Sequence, residues 1–186
     1  MVIQDFHLCL KLFLYAMITY LNFRSKGESV ILKPSKRKGA CSYEKIRLWS
    51  DDYTKVDIET VKKMADRFME NGFTYFDTAA PYHRGNSEIA FREAVAKRYP
   101  RDSYTITDKL TLFMVPKKED MHSFFNSQLE RLGVEYIDYY WLHALGEASY
   151  RQAEEWDAFG FLQTLKSEGK VRHIGFSFHD KAALLD

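Results

Sequence analysis

The sequence predicts an α/β fold: about the first five βα units of a (β/α)8 TIM-type barrel, preceded by an irregular N-terminal extension. Three observations carry that expectation. Strand-like and helix-like segments alternate from Ile58 onward, with strands starting roughly every 30 to 36 residues, as βα units of a parallel sheet require. No Gly-x-Gly-x-x-Gly follows a strand, which weakens a doubly wound dinucleotide-binding sheet. Reactive side chains stand at the ends of several successive strands, and a parallel barrel builds its site at that rim.

Residues 1–50 read as the extension. Phe6 to Leu21 is apolar apart from His7, Lys11 and Thr19, with Arg24 and Lys26 beyond it. A membrane span needs about 20 apolar residues. This stretch is shorter, and no Ala-x-Ala-like cleavage site follows it, so a packed or stray helix is expected rather than an anchor or a signal peptide. Residues 24–55 carry basic clusters (Lys33, Lys36, Arg37, Lys38) with weak periodicity and read as loop.

Residues 51–186 read as the partial barrel. Ile58, Val61, Met64 or Ala65, Phe68 and Met69 fall on one helical face, and Asn71-Gly72 supplies a left-handed stop. Phe73 to Phe76 is the next strand, ending at Asp77. A helix opens near Asn86-Ser87-Glu88 and buries Ile89, Phe91, Ala94 and Val95. Ser103 to Lys109 is a strand rich in β-branched residues. A helix from Glu119 to Leu132 turns Met121, Phe124, Phe125, Leu129 and Leu132 inward and stops at Gly133. Tyr136 to His143 is a near-continuous apolar run, as in a strand covered on both faces. A helix from Glu154 to Glu168, burying Trp156, Phe159, Leu162 and Leu165, leads to a strand from Arg172 to Phe178. Asp180 reads as the cap of one more helix.

Bulk composition narrows the function. With 27 basic against 26 acidic residues, nothing points to nucleic acid as a partner. Aromatic residues (14 Phe, 12 Tyr, 3 Trp) suit a packed core rather than disorder. Cys9 and Cys41 lack metal or disulfide spacing, which fits a reducing, cytoplasmic setting.

The candidate site residues are Asp77, Tyr82, Lys109 and His143, in Tyr-Phe-Asp-Thr-Ala-Ala-Pro-Tyr-His, Ile-Thr-Asp-Lys-Leu and Tyr-Tyr-Trp-Leu-His. An acid, a phenol, an amine and an imidazole on one rim can make a proton-donating site for carbonyl reduction. Singly, each has a plain structural reading: a turn aspartate, a packing tyrosine, a solvated lysine, a satisfied core histidine. Their joint occurrence favours catalysis. A rival reading places a hydrolytic metal among His83, His143, His179 and Asp77. It lacks a closely spaced His-x-His pair, and Lys109 would crowd the cation, so no metal is expected. His122 and His173 read as structural.

Taken together the segments resemble the aldo-keto reductases. The resemblance covers about residue 50 to the end and rests on Gly72-Phe-Thr-Tyr-Phe-Asp-Thr-Ala with Tyr82, Gly85 and Ser87-Glu88; on Thr107-Asp-Lys109; on Gln128-Leu-Glu-Arg-Leu leading to Tyr136-Ile-Asp-Tyr-Tyr-Trp-Leu-His143; and on Gly169-Lys-Val-Arg-His-Ile-Gly-Phe-Ser177. Pro-Tyr-His and Gly-Phe-Ser-Phe-His are similar to a bacterial branch often fused to a C-terminal ferredoxin-like region, so an iron–sulfur cluster would belong only to a C-terminal region outside this sequence. The resemblance implies hydride transfer between NADP(H) and a small-molecule carbonyl. Tyr82 would be the general acid, Lys109 would ease its proton loss, Asp77 would hold Lys109, and His143 would orient the carbonyl. Ser177 would contact the nicotinamide carboxamide. Phe178 stands where many members have Asn, which puts a second amide contact in doubt.

Five units do not close a barrel that typically takes about 250 residues. The reading at this point is therefore a fragment, with Lys38-Gly-Ala-Cys-Ser-Tyr-Glu-Lys-Ile-Arg-Leu-Trp replacing a recognisable first strand. Alone it is expected to bind NADPH weakly or not at all and to aggregate through open sheet edges. A catalytically silent half-barrel, or a fragment needing a complementing C-terminal chain, stays open as the alternative.

Overall fold

A computed structural model of the chain describes residues 56–181 and the backbone of strands β1 (Val30–Pro34) and β2 (Cys41–Lys45). The chain divides into two units, Met1–Ser50 and Asp51–Asp186. In the first, β1 and β2 pair antiparallel from Val30↔Lys45 to Pro34↔Cys41. The stretch expected as loop thus contains a hairpin. Each strand is five residues long, too short for a period of two to stand out within a basic stretch. The apolar Phe6 to Leu21 lies outside the described residues. Among the described residues, no helix is long and apolar enough to cross a membrane.

The second unit opens with α1 (Ile58–Glu70). Asp57 is its N-cap: Oδ1 accepts from the Thr60 amide at 3.1 Å and Oδ2 from the Thr60 hydroxyl at 2.7 Å. Such a cap contributes about 1 kcal/mol. The helix stops at Asn71 and Gly72, whose φ of 81° suits glycine. Of the two candidates for its inner face, Ala65 is buried and Met64 is exposed.

Four parallel strands follow in the order β3 (Tyr75–Asp77), β4 (Thr105–Leu110), β5 (Ile137–Leu145) and β6 (Val171–Phe178). Between them run α2 (Asn86–Phe91, continued by a wide turn over Arg92–Ala96), α3 (Met121–Leu132), α4 (Glu147–Glu155) and α5 (Ala158–Ser167). Sequence and sheet order coincide, as for consecutive units of a parallel barrel wall. Ile106, Leu110, Tyr140 and Leu142 on the strands, with Phe125, Leu132, Leu162 and Leu165 on the helices, are sealed from solvent in the main core. At roughly 1.5–3 kcal/mol for each large side chain buried, this layer dominates the stability of the unit.

The expected Glu154 to Glu168 helix is two helices. Asp157 takes a left-handed φ of 51° between α4 and α5 and resets the helical phase. Phe161 therefore turns inward while Phe159, expected in the core, is exposed against Tyr150 at 5.9 Å. A Cβ on Gly160 would lie 2.6 Å from the Asp157 carboxylate, so a larger residue there would force that side chain to move. Asp180 also serves the start of α4, where its Oδ2 accepts from the Glu147 amide at 3.3 Å. Residues 182–186, where the further helix was expected, lie outside the described residues.

Candidate active site

Strand alternation sorts the side chains of β4. Thr107 and Lys109 face the concave side of the sheet, while Ile106, Asp108 and Leu110 face the helices. Asp77 ends β3 level with Thr107, Lys109 sits one step above beside Trp141, and His143 lies near the end of β5. Register therefore raises three of the expected residues as a staircase toward one rim.

Lys109 stands at the centre. Its Nζ donates to Asp77 Oδ1 at 2.7 Å and to the Thr78 carbonyl at 2.7 Å. Both partners of the ion pair are nearly dry, at 3% side-chain exposure for Lys109 and 9% for Asp77. Burial pushes the Asp77 carboxyl above its ordinary value, and the Lys109 ammonium works against that rise.

Tyr82 arrives from the loop after β3. Ala79 and Ala80 are buried in that loop, and the Tyr82 amide donates to the Ala79 carbonyl at 3.0 Å. Thr78 anchors it through a 2.8 Å hydroxyl bond to Ser87. The Tyr82 ring lies 4.9 Å from Lys109 Nζ and meets the His143 ring edge-on, with centroids 5.8 Å apart. All four residues singled out in the sequence thus converge on one point of the rim.

His143 owes its orientation to Thr111, which sequence reasoning missed. Thr111 Oγ1 lies 2.8 Å from His143 Nδ1 and is fully buried. Burial, then the Lys109 charge, then His179 push the His143 imidazole down to about 4, so the ring is neutral at neutral pH. Just beyond it the strand bulges: Ala144 has φ 53°, and the β5–β6 register shifts between Leu142 and Leu145. Ser177 Oγ on β6 accepts from the Ala144 amide at 2.7 Å, so the residue expected at the cofactor also pins the bulge. Phe178 packs against the core on the other face.

The other histidines among the described residues divide between the rim and the rest of the unit. His83 follows Tyr82 on a tight turn, His179 is exposed, His122 meets Phe161 edge-on at 4.7 Å, and His173 stacks on Tyr139 at 4.9 Å. Among the described residues no three His, Cys, Asp or Glu side chains are grouped to hold a metal ion.

Known proteins resemble the chain in sequence and in fold. An aldo-keto reductase of Mycolicibacterium smegmatis is 33% identical over 109 residues, 58% of this chain and 36% of that relative. The NADH-specific methylglyoxal reductase of Escherichia coli is 29% identical over 121 residues, 56% of this chain and 36% of that protein. The crystal structure of an aldo-keto reductase from Klebsiella pneumoniae in complex with NADPH matches with a TM-score of 0.54 at 27% identity, over 69% of this chain and 43% of that one. The chain thus spans less than half the length of each of these relatives. Residues 47–186 match the family model for the Aldo/keto reductase family, and the chain belongs to that family.

Proposed function

We propose that the site reduces a small-molecule carbonyl to an alcohol, with NADP(H) as the hydride source and Tyr82 as the general acid. One observation carries this reading: Lys109 Nζ, fixed by Asp77 and the Thr78 carbonyl, lies against the ring of Tyr82, which also meets His143. When bound, the nicotinamide supplies a hydride to the carbonyl carbon. The chain's own groups manage the charge that this step places on the carbonyl oxygen. Tyr82 gives its phenolic proton to that oxygen, and the adjacent ammonium favours the phenolate left behind. In the tautomer in which Thr111 donates to His143 Nδ1, Nε2 carries the ring proton and can donate it to the same oxygen, orienting the carbonyl. A neutral imidazole donates that bond without placing a second cation beside Lys109.

The residues present suit the cofactor's amide end. Ser177 accepts from the Ala144 amide, which leaves its O–H to donate to a carboxamide oxygen. The Klebsiella pneumoniae relative, crystallised with NADPH, supports a phosphorylated cofactor. The lack of disulfide or metal spacing at Cys9 and Cys41 supports a cytoplasmic setting.

The test is NADPH oxidation by the chain in the presence of a simple aldehyde, at concentrations high enough to load a weak site, compared with Tyr82→Phe. The substitution should lower turnover about 10²–10⁴-fold while leaving quenching of nicotinamide fluorescence by the protein unchanged. A Tyr82→Phe chain that turns over as fast as the unsubstituted chain overturns the assignment.

A further inference from the structure

Behind Lys109, on the helix-facing side of the sheet, four polar side chains are shut away from water with 0% exposure: Glu88 on α2, Asp108 on β4, Gln128 on α3 and Tyr140 on β5. The proton-donating chemistry proposed above uses none of them. They nevertheless grip the backbone of Lys109 at both ends. Asp108 Oδ1 accepts the Lys109 N–H at 2.8 Å, and Gln128 Nε2 donates to the Lys109 carbonyl at 3.1 Å. Gln128 is fixed in turn by Tyr140, whose hydroxyl donates to Oε1 at 2.6 Å, and it also donates to Glu88 Oε1 at 3.3 Å.

The proton inventory of this cluster does not close with every carboxyl ionised. Arg131 donates through Nε to Glu88 Oε2 and through Nη2 to Oε1 at 3.2 Å, so one cation serves one carboxylate. The second oxygen of Asp108 has no donor. The group beside it is the Glu88 carboxyl, which already accepts from Arg131 and Gln128. A sealed carboxylate oxygen without a donor is costly, and two adjacent carboxylates more so. If Asp108 carries the proton, that oxygen becomes the donor and Glu88 the acceptor.

We propose that Asp108 is a positioning residue for the rim site that works as the neutral acid: its O–H binds Glu88 while its other oxygen holds the backbone N–H of Lys109. The rim ammonium is thereby tied to a proton stored on the opposite face of the sheet. The charged and titratable groups around Asp108 are Glu88 from α2, Arg131 from α3, Tyr140 from β5 and Lys109 from its own strand. Burial and then Glu88 raise the Asp108 carboxyl well above its ordinary value, against the Lys109 backbone bond and charge. Burial likewise raises Tyr140, which therefore stays a donor to Gln128.

The proposal rests on the reductase reading for the importance of Lys109, yet it can be read without turnover. The carboxyl carbon of Asp108 in the ¹³C-labelled chain should show the chemical shift of a protonated acid at neutral pH, and this signal should vanish in Asp108→Asn. The amide of Asp108→Asn can donate to Glu88 and accept from Lys109, so the Lys109 ammonium resonance should hold its place. In Asp108→Leu, branched at the same carbon but bulkier and without polar atoms, that resonance should shift or broaden. An ionised Asp108 at neutral pH, or an Asn variant that disturbs Lys109 as much as the Leu variant, overturns the proposal. The ¹³C reading on the unsubstituted chain decides the matter even if Asp108→Leu fails to fold. Absence of aldehyde reduction alongside a protonated Asp108 overturns the reductase reading alone.

Discussion

Asp77 and Lys109 offer a quantitative test of how dry the rim is. At 2.7 Å, and with an effective dielectric of about 20, their gross attraction is on the order of 6 kcal/mol. Desolvation offsets much of this, which is why burial lifts the Asp77 carboxyl despite the neighbouring cation. Asp77→Ala strands an ammonium of 3% exposure with the Thr78 carbonyl as its remaining acceptor, at an expected cost of about 3–5 kcal/mol. Lys109→Met strands the carboxyl instead. At about pH 5 that group escapes by taking up a proton, for about 1.6 kcal/mol from an ordinary value of 3.8, whereas a stranded ammonium would need several times as much to lose one. In urea denaturation of the chain, the penalty of Lys109→Met should therefore shrink as pH falls from neutral to about 5, while that of Asp77→Ala should not. The double substitution Asp77→Leu with Lys109→Met should return to within about 1 kcal/mol of the unsubstituted chain. An Asp77→Ala penalty below about 1 kcal/mol, or two single variants with the same pH dependence, would show that water reaches the pair and that the reasoning is wrong.

His143 should contribute a stability slope with a defined sign. Its unfolded imidazole binds a proton near 6.5 and its folded one only near about 4, so in that window the unfolded chain holds more protons. Stability should rise with pH through the window, by on the order of 1 kcal/mol once screening of the partly exposed ring is allowed for, and His143→Gln should flatten the slope. Phe125→Ala, emptying a fully buried site that packs edge-on to Tyr140 at 5.1 Å, should cost about 3–5 kcal/mol in the same denaturation assay. Two left-handed glycines should respond differently. A Cβ at Gly72 meets nothing within 4 Å, so Gly72→Ala should cost about 1 kcal/mol from backbone conformation alone. At Gly133 it would fall 2.7 Å from Arg92 Cγ, so Gly133→Ala should cost measurably more unless Arg92 swings away, which a Gly133→Ala crystal structure would reveal.

The parallel order of the four strands and the gathering of Asp77, Tyr82, Lys109 and His143 could be read in the sequence. Strand alternation and the regular βα spacing fix which ends share a rim, and the residues at those ends carry distinctive chemistry. Other features could not be read. Phe159 fell on the apolar stripe of an unbroken helix, but the left-handed Asp157 moved the stripe to Phe161. The hairpin of β1 and β2 has too little alternation to stand out in a basic stretch. Thr111 is one hydroxyl among many until the chain after β4 turns it toward His143.

Sequence by itself determined the fold class and which residues gather at the rim, because these follow from periodicity and from residue types at strand ends; the family followed from the ordered motifs that resemble the aldo-keto reductases. Tertiary structure decided the charge states. Whether a carboxyl is a salt-bridge partner, as Asp77 is, or a sealed acid, as Asp108 is, depends on which face of β4 and β3 it occupies and on what lies opposite. Glu88, Arg131 and Gln128 reach Asp108 from positions 20 or more residues away along the chain. Desolvation and electrostatic pairing act through space, so only the packed arrangement of helices on the sheet could set them.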